Sequence, residues 1–533
     1  MTYLFGIFLI CSGLMIFIRR RLYRYLHYFQ QEEYDSKRFM RWLDKNKAFD
    51  RKSWIIILLV PFVSIFIHFI FAASLAFIAF LTMSFFEEDP RKTGKIRLKM
   101  TERATRIYKI ALGMFVVVAL VITTLAITYD KTFMALAALL TFSTPFFLIL
   151  ACLLLQPGEN KRQKQFLDEA KKRLASVSPY VIGITGSYGK TSTKDALSQI
   201  LQITLGPTFW PSKGINTPMG ITREIRSSLF PEHQYAVIEM GAYGIGSIKR
   251  LCDLTPPNAA IITTIGSAHL ERFGTKENIR LAKSELAQAV PYDGILICNG
   301  DDADVRHIAQ QYPKKTTRFY GFNEELGYLD CWVSSWHTTT KGTEFTVNYL
   351  GRSYEGFTPL FGQTALSNVI GSFLMACTLG SHPEYALAVI RNLEPVSNRL
   401  QVQQDDQITY IHDAYNSNPQ GFAGALQVLK ALPSTRKILM TPGMIELGTQ
   451  QQIENERLAQ LAGGICDLAI VVGETNRKFL MQGLLQGGMK SEQIFVTSSR
   501  DQAFKQLAAI RKNGDLILIE NDLPDLYEAK PKF

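Results

Sequence analysis

The sequence predicts an α/β protein: an N-terminal helical membrane region, then a P-loop central domain and a C-terminal Rossmann-like α/β domain. Three observations predict it. Residues 1–157 are dominated by long apolar runs. From Val177 onward, short apolar strands alternate with helical patterns, which points to parallel sheets covered by helices. Between the two, Gly183-Ile-Thr-Gly-Ser-Tyr-Gly-Lys-Thr-Ser192 joins an apolar strand (Tyr180–Ile182) to an amphipathic helix (Thr193–Leu201).

The 533 residues suffice for about three or four domains. The pattern divides them into a membrane region at 1–157, a charged linker helix at 158–176, a central domain at 177–396 and a C-terminal domain at 397–533. In the first, Tyr3–Ile18 is an apolar run closed by Arg19-Arg-Arg-Leu-Tyr-Arg24. A signal peptide carries its positive charge before the apolar segment and a small-residue cleavage site after it. Neither is present, so a membrane anchor fits better. Trp54–Phe86 is too long for one span of about 20 residues and short for two. Both its flanks, 19–52 and 87–106, are rich in Lys and Arg, so both belong on the cytoplasmic side, and two short helices satisfy this. Ile107–Thr128 and Phe133–Leu155 form a second hairpin around Tyr129-Asp-Lys131. The expectation is about five spans, with the N-terminus outside and everything after about residue 157 in the cytoplasm. His68 falls within a span, where an ionisable group is a functional candidate or a packed helix contact.

The net charge of +11 comes partly from basic clusters beside the apolar runs, Arg19–Arg24 and Arg91–Lys99. Next to hydrophobic spans such clusters mark anionic lipid, not nucleic acid. Seven scattered cysteines without a C-x-x-C argue against a disulfide framework or a zinc site, and Cys252, Cys298 and Cys377 lie in apolar, core-like stretches.

In the soluble part, the strand–loop–helix setting of residues 180–201 is that of a phosphate-binding loop. Gly186 and Gly189 let backbone N–H groups approach phosphate oxygens. Lys190 meets the β/γ charge, and the Thr191 hydroxyl suits Mg²⁺. Thr185, Ser187, Tyr188 and Ser192 complete the loop, with Tyr188 able to stack on a ligand or to pack. The eight-residue G-x-x-x-x-G-K-[ST] pattern is not met, because its first Gly falls at Ile184; the shorter T-G-x-x-G-K-T remains. Further strands are expected at Tyr235–Met240, Ala259–Thr264, Gly294–Asn299, Lys437–Met440, Leu468–Val472 and Leu516–Ile519. Residues 327–357 read as antiparallel strands, and a second α/β unit begins near Asn398-Arg399.

Four elements follow the loop. Val237-Ile-Glu239-Met-Gly241 ends a strand with a carboxylate. Ile261–Gly274 ends another, with His269 on the following loop. Ala282-Lys283-Ser-Glu285 lies on a helix. His412-Asp413-Ala-Tyr415-Asn416-Ser-Asn418-Pro419 opens the later unit. Ligands of open α/β sheets sit beyond the carboxyl ends of strands, where a carboxylate and a His can share a metal that bridges phosphates. Taken singly, Glu239 is equally a strand-end cap, His269 a structural histidine, Lys283 a solvated lysine and Asp413 turn chemistry.

The ordered set T-G-x-x-G-K-T, N-T-P-x-G, E-M-G, A-H-L-E-x-F-G, A-K-x-E, Y-N-x-N-P and M-x-E-L-G resembles the Mur ligase family over residues 178–533. The resemblance implies a Mur-ligase central ATP-binding domain and a Mur-ligase C-terminal domain. It implies an ATP-dependent, ADP-forming amide ligase of peptidoglycan precursor synthesis that works through an acyl phosphate. Its nearest counterparts add D-alanyl-D-alanine to a muramoyl peptide. By this resemblance Lys190 and Thr191 bind ATP phosphates and Mg²⁺, and Glu239 and His269 are metal ligands. Lys283 matches a lysine carbamylated in the family. Asn368 contacts adenine, Arg399 and Asp413 contact the nucleotide, with Asp413 on ribose, and Asn216, Thr217, Asn416 and Asn418 lie on the substrate side. Lys190, His269 and Lys283 are the implied catalytic set.

Three departures set this chain apart. Apolar helices replace the family's N-terminal UDP-binding domain. The Gly-Asp-Met-x-Glu-Leu-Gly pattern reads Thr441-Pro-Gly-Met-Ile-Glu446-Leu-Gly448, with Asn455 where a His is expected. A Lys-Gly-Ser motif reads Glu520-Asn521-Asp522. The nucleotide half is thus complete and the substrate half altered, which suits a lipid-linked muropeptide acceptor as well as a soluble one, and an amino acid or dipeptide as donor. A poly-glutamate-type acceptor is an alternative. A transporter ATPase is disfavoured, since no apolar strand ends in Asp-Glu and no L-S-G-G-Q occurs.

Overall fold

The computed structural model describes residues 2–522 apart from 51–52, 65, 93–96, 130–135, 213, 269, 397–398 and 415–416. The described residues form two units, one within residues 1–162 and one within 163–523.

The first unit is helical: α1 (Thr2–Gln31), α2 (Ser36–Lys45), α3 (Ser53–Val63), α4 (Phe69–Phe86), α5 (Glu102–Thr128), α6 (Ala137–Phe142) and the start of α7 (Thr144–Val177). Among the described residues, α1, α4 and α5 are the three helices long and apolar enough to cross a membrane, by length and composition. The 54–86 run divides into α3 and α4, but α3 has only 11 residues. His68 is not inside a helix. It is exposed and caps α4, its Nδ1 accepting from the Ile70 N–H at 3.5 Å, because the first N–H groups of a helix lack backbone partners. The basic run after the first apolar segment is not all solvated either. Arg21 is buried and pairs with Asp50 at 3.6 Å and Glu87 at 3.2 Å. The apolar 144–155 segment and the charged linker form one continuous helix, α7, that runs through Pro157.

The second unit contains two sheets. Strands β1 (Tyr180–Thr185), β2 (Thr208–Phe209), β3 (Tyr235–Glu239), β4 (Ala259–Ile262), β5 (Ile295–Asn299), β6 (Thr316–Gly321), β7 (Cys331–Thr339), β8 (Gly342–Tyr349) and β9 (Arg352–Thr358) build a nine-stranded sheet in the order 2-3-1-4-5-6-7-8-9. Pairing is parallel up to β7 and antiparallel through β7-β8-β9. The near-continuous burial of β1, β3 and β4 is what a parallel sheet covered on both faces requires. One face packs on α8 (Lys190–Thr204), α14 (Gly362–Thr378) and α15 (Pro383–Ile390) through Leu197, Leu201, Val369 and Ile390. The other packs on α9 (Pro218–Ser228), α10 (Ser247–Leu254), α11 (Leu270–Phe273), α12 (Lys276–Ala289) and α13 (Ala303–Gln311) through Ile225, Leu251, Leu286 and Ile308.

The later residues give β10 (Gln401–Asp405), β11 (Ile408–Asp413), β12 (Arg436–Thr441), β13 (Leu468–Val472), β14 (Ile494–Thr497) and β15 (Asp515–Glu520). They form a six-stranded sheet in the order 10-11-15-12-13-14, parallel except for β10. Helices α16 (Pro419–Ala431) and α17 (Gln451–Gly463) cover one face through Phe422, Leu426 and Leu458. Cys252 and Cys298 are core; Cys377 is only partly buried.

Candidate functional site

The loop between β1 and α8 is shaped by its glycines. Gly189 caps α8 with φ +81°, a conformation costly for any other residue. A Cβ added there would lie 2.2 Å from Asn368 Oδ1, so the loop seats directly on α14. Asn368 also accepts from Thr193 Oγ1 at 3.3 Å. Gly189→Ala is therefore expected to cost about 1–3 kcal/mol in backbone strain and to push Asn368 out of place. Unfolding curves and nucleotide titration check this; wild-type stability together with wild-type affinity would rule it out.

The remaining loop residues are tied to the end of β3 and to the loop after β4. Thr185 Oγ1 donates to Met240 O at 3.0 Å. Ser187 Oγ accepts from the Gly266 N–H at 2.9 Å. The Tyr188 ring lies against Gly266, and its hydroxyl is 3.4 Å from Ser267 Oγ, so packing accounts for its placement. Ser192 is half-buried on the first turn of α8.

Two lysines converge on one carbonyl. Lys190 Nζ donates to Gly186 O at 2.9 Å and Ser187 O at 3.2 Å, and Lys283 Nζ, buried, donates to the same Gly186 O at 2.8 Å. Burial, with the Lys190 charge beside it, holds Lys283 well below the usual lysine range. Burial lowers Lys190 as well, opposed by Glu239 and reinforced by Arg399.

At the end of β3 the buried Glu239 uses both oxygens. Oε2 accepts from Thr191 Oγ1 at 2.8 Å, and Oε1 accepts from Asn216 Nδ2 at 2.9 Å. A hydroxyl and a carboxylate side by side are hard oxygen donors of the kind Mg²⁺ takes, so Thr191 and Glu239 fit that ion. His269 and Asn416 lie outside the described residues. Among the described residues no group of three His, Cys, Asp or Glu side chains is placed to hold a metal. Thr217 and Asn418 are helix N-caps, accepting from Gly220 N at 3.3 Å and Gly421 N at 2.9 Å.

Just before β10, Arg399 reaches the first turn of α8, its Nη2 donating to Thr191 Oγ1 at 3.3 Å. Asp413 ends β11 and accepts from Leu400 N at 3.1 Å. Its register partner at the end of β15 is Glu520, which bonds Ser417 Oγ. Burial pushes the Asp413 carboxyl up to about 6 and the Glu520 carboxyl well above the usual range. Asn455, on α17, ties down the loop after β12, accepting from Met444 N at 2.8 Å and donating to Met444 O at 3.0 Å, a structural role.

Sequence reasoning missed three supports. Thr263 Oγ1 donates to Tyr188 O at 2.6 Å, Asp302 Oδ2 accepts from Ile265 N at 2.8 Å, and Arg272 meets Glu446 at 3.1 Å. Asp302 had a signal: an acidic residue just before a helical pattern is a cap.

Residues 184–376 match the Mur ligase middle domain, and 398–520 match the Mur ligase, glutamate ligase domain. The chain is 30% identical over 377 residues to the UDP-N-acetylmuramoyl-tripeptide–D-alanyl-D-alanine ligase of Bacillus subtilis (strain 168), spanning 68% of this chain and 78% of the relative. It is 29% identical to the Escherichia coli (strain K12) enzyme of the same name, over 64% of this chain and 72% of the relative. Among solved structures, the MurF ligase from Thermotoga maritima in complex with ADP superposes with a TM-score of 0.60 at 26% identity, covering 68% of this chain and 80% of that one. MurF from Acinetobacter baumannii gives a TM-score of 0.60 at 25% identity, covering 68% of this chain and 77% of that one.

Proposed function

The chain belongs to the Mur ligase family of ATP-dependent, ADP-forming ligases, and from that premise we propose that it joins D-alanyl-D-alanine, or a similar amine donor, to a muramoyl peptide at the membrane surface. The observation that carries this is the convergence of Lys190, Lys283, Thr191 and Glu239 at the carboxyl ends of β1 and β3.

In the reaction the acceptor carboxylate attacks the γ-phosphorus of ATP and ADP leaves. The resulting acyl phosphate is then opened by the donor amine, which loses a proton as phosphate departs. Both steps concentrate negative charge on phosphoryl oxygens. Lys190 and the N-terminus of α8 stabilise that charge. Thr191 and Glu239 would hold Mg²⁺, which supplies charge neutralisation when bound. Arg399, already on Thr191, brings the later sheet to the nucleotide and helps exclude water from the acyl phosphate. Lys283, whose burial disfavours the protonated form, is suited to add to CO₂ and lose a proton. The carbamate so formed would put an anion at this position, of the kind a bound Mg²⁺ takes.

We assign the 1–157 region to the cell membrane as a multi-pass anchor, with the ligase domains in the cytoplasm where ATP is available. Three long apolar helices and the adjacent basic clusters support this. The anchor stands where relatives carry a UDP-binding domain, which favours a lipid-linked acceptor. The test is ligation by the full chain in nanodiscs, with ATP, Mg²⁺ and D-alanyl-D-alanine, on UDP-linked against polyprenyl-linked muropeptide. The lipid-linked acceptor is expected to give the higher kcat/KM. Equal use of both refutes the lipid preference, and amide from neither refutes the ligase assignment to this substrate class.

A further inference from the structure

The M-x-E-L-G segment remains unused by the chemistry above, yet it reaches the catalytic half directly. Glu446 follows β12 and accepts from Arg272 Nη2 at 3.1 Å, and its carbonyl faces the Glu271 N–H at 3.4 Å. Arg272 lies on α11, three residues after His269, and its guanidinium also stacks over the Tyr243 ring with 5.4 Å to the centroid. The pair is largely shielded, the two side chains being 29% and 19% exposed.

Both ends of this contact are anchored. On the Glu446 side, three asparagines strap the preceding residues. Asn455 and Asn476 each donate to Met444 O at 3.0 Å, and Asn521 donates to Gly443 O at 2.5 Å. Glu446 itself sits at φ +63°, a conformation that a non-glycine residue keeps only when its surroundings impose it. On the other side, the Leu270 N–H bonds Ser267 O at 3.1 Å, and Ser267 meets Tyr188 of the phosphate loop. A continuous chain of contacts therefore runs from the later sheet through Glu446, Arg272 and Ser267 to the loop that carries Lys190.

We propose that the Glu446–Arg272 pair is a latch that fixes α11 and the Ser267 contact with the phosphate loop when the later domain is seated against the central one. Glu446 and Arg272 are positioning residues: they act on the segment that braces Tyr188 of the phosphate loop and touch no reacting atom. This rests on the ligase function proposed above. Two consequences separate it from a purely structural ion pair. Loosening the segment misaligns catalysis more than ATP binding, so kcat falls while KM for ATP holds. It also admits water to the acyl phosphate, so phosphate release outruns amide formation.

The test uses the full chain in detergent or nanodiscs. Glu446→Gln keeps shape and removes charge; Arg272→Lys keeps charge and loses the fork geometry. Each is expected to lower kcat for amide formation by roughly 2- to 30-fold, with KM for ATP unchanged and the phosphate-to-amide ratio raised. Hydrogen exchange in residues 267–273 is expected to speed up in both variants, while the strands of either sheet keep wild-type protection. Unaltered exchange in that segment overturns the latch, whatever the assay shows. So does a wild-type phosphate-to-amide ratio in both folded variants. If the wild-type chain forms no amide, the functional reading fails and the exchange measurement still judges the latch.

Discussion

Replacing Lys190 with alanine is expected to lower kcat for amide formation by about 10²–10³-fold, the usual effect of deleting one preorganised charge donor. Its ammonium is held over Gly186 O and Ser187 O at the start of α8, so it is aimed before any substrate arrives. A donor that needs no reorganisation helps most where charge develops, which is the phosphoryl transfer step. Nucleotide affinity should therefore fall much less than kcat. Lys190→Arg keeps the charge but spreads it over a planar fork in a space already shared with Lys283, and should recover little. Steady-state kinetics with nucleotide titration decides the matter. A Lys190→Ala enzyme whose kcat falls less than about tenfold would remove the loop from the chemistry.

Much of this site was legible because its parts are local or end on strands. The β1–loop–α8 unit is continuous in sequence, and periodicity places its turn between an apolar run and an amphipathic helix. Glu239 closes an apolar pentapeptide, which puts it at a strand end beside the loop. The antiparallel β7–β9 ribbon was visible in its aromatic and Thr-rich texture. The membrane-like region was harder. Apolar runs fix that helices form, but where they break depends on caps such as His68 and on buried pairs such as Arg21–Asp50, and neither leaves a periodic trace. The Arg272–Glu446 contact joins residues 174 positions apart, and Thr263 braces a residue 75 positions away. Single-sequence periodicity carries no information about such pairings: sheet order brings Thr263 to Tyr188, and the packing of one sheet domain on the other brings Arg272 to Glu446.

Lys283→Met is expected to make the protein more stable near neutral pH while abolishing ligation. The two effects have one cause. Lys283 Nζ is buried beside Lys190, and its folded-state proton affinity is strongly depressed. In the unfolded chain the same amine holds its proton up to about pH 10.4. Over the interval between the two values the unfolded state binds more protons, so the wild-type fold gains stability as pH rises and is penalised at pH 7. An unbranched apolar side chain removes the penalty, and Gly186 O keeps Lys190 as donor. The variant's advantage should therefore shrink toward pH 10. Denaturant unfolding at pH 7 and pH 10, in buffer stripped of CO₂, measures both ends. Activity is predicted to fall by about 10²-fold or more, because the variant cannot form the carbamate anion proposed for this position. For the same reason the wild type should lose activity when bicarbonate is removed and regain it on readdition. A variant that is less stable at pH 7 would mean Lys283 is a structural tether. One that still ligates, or a wild type indifferent to bicarbonate, would leave the amine with no part in the reaction.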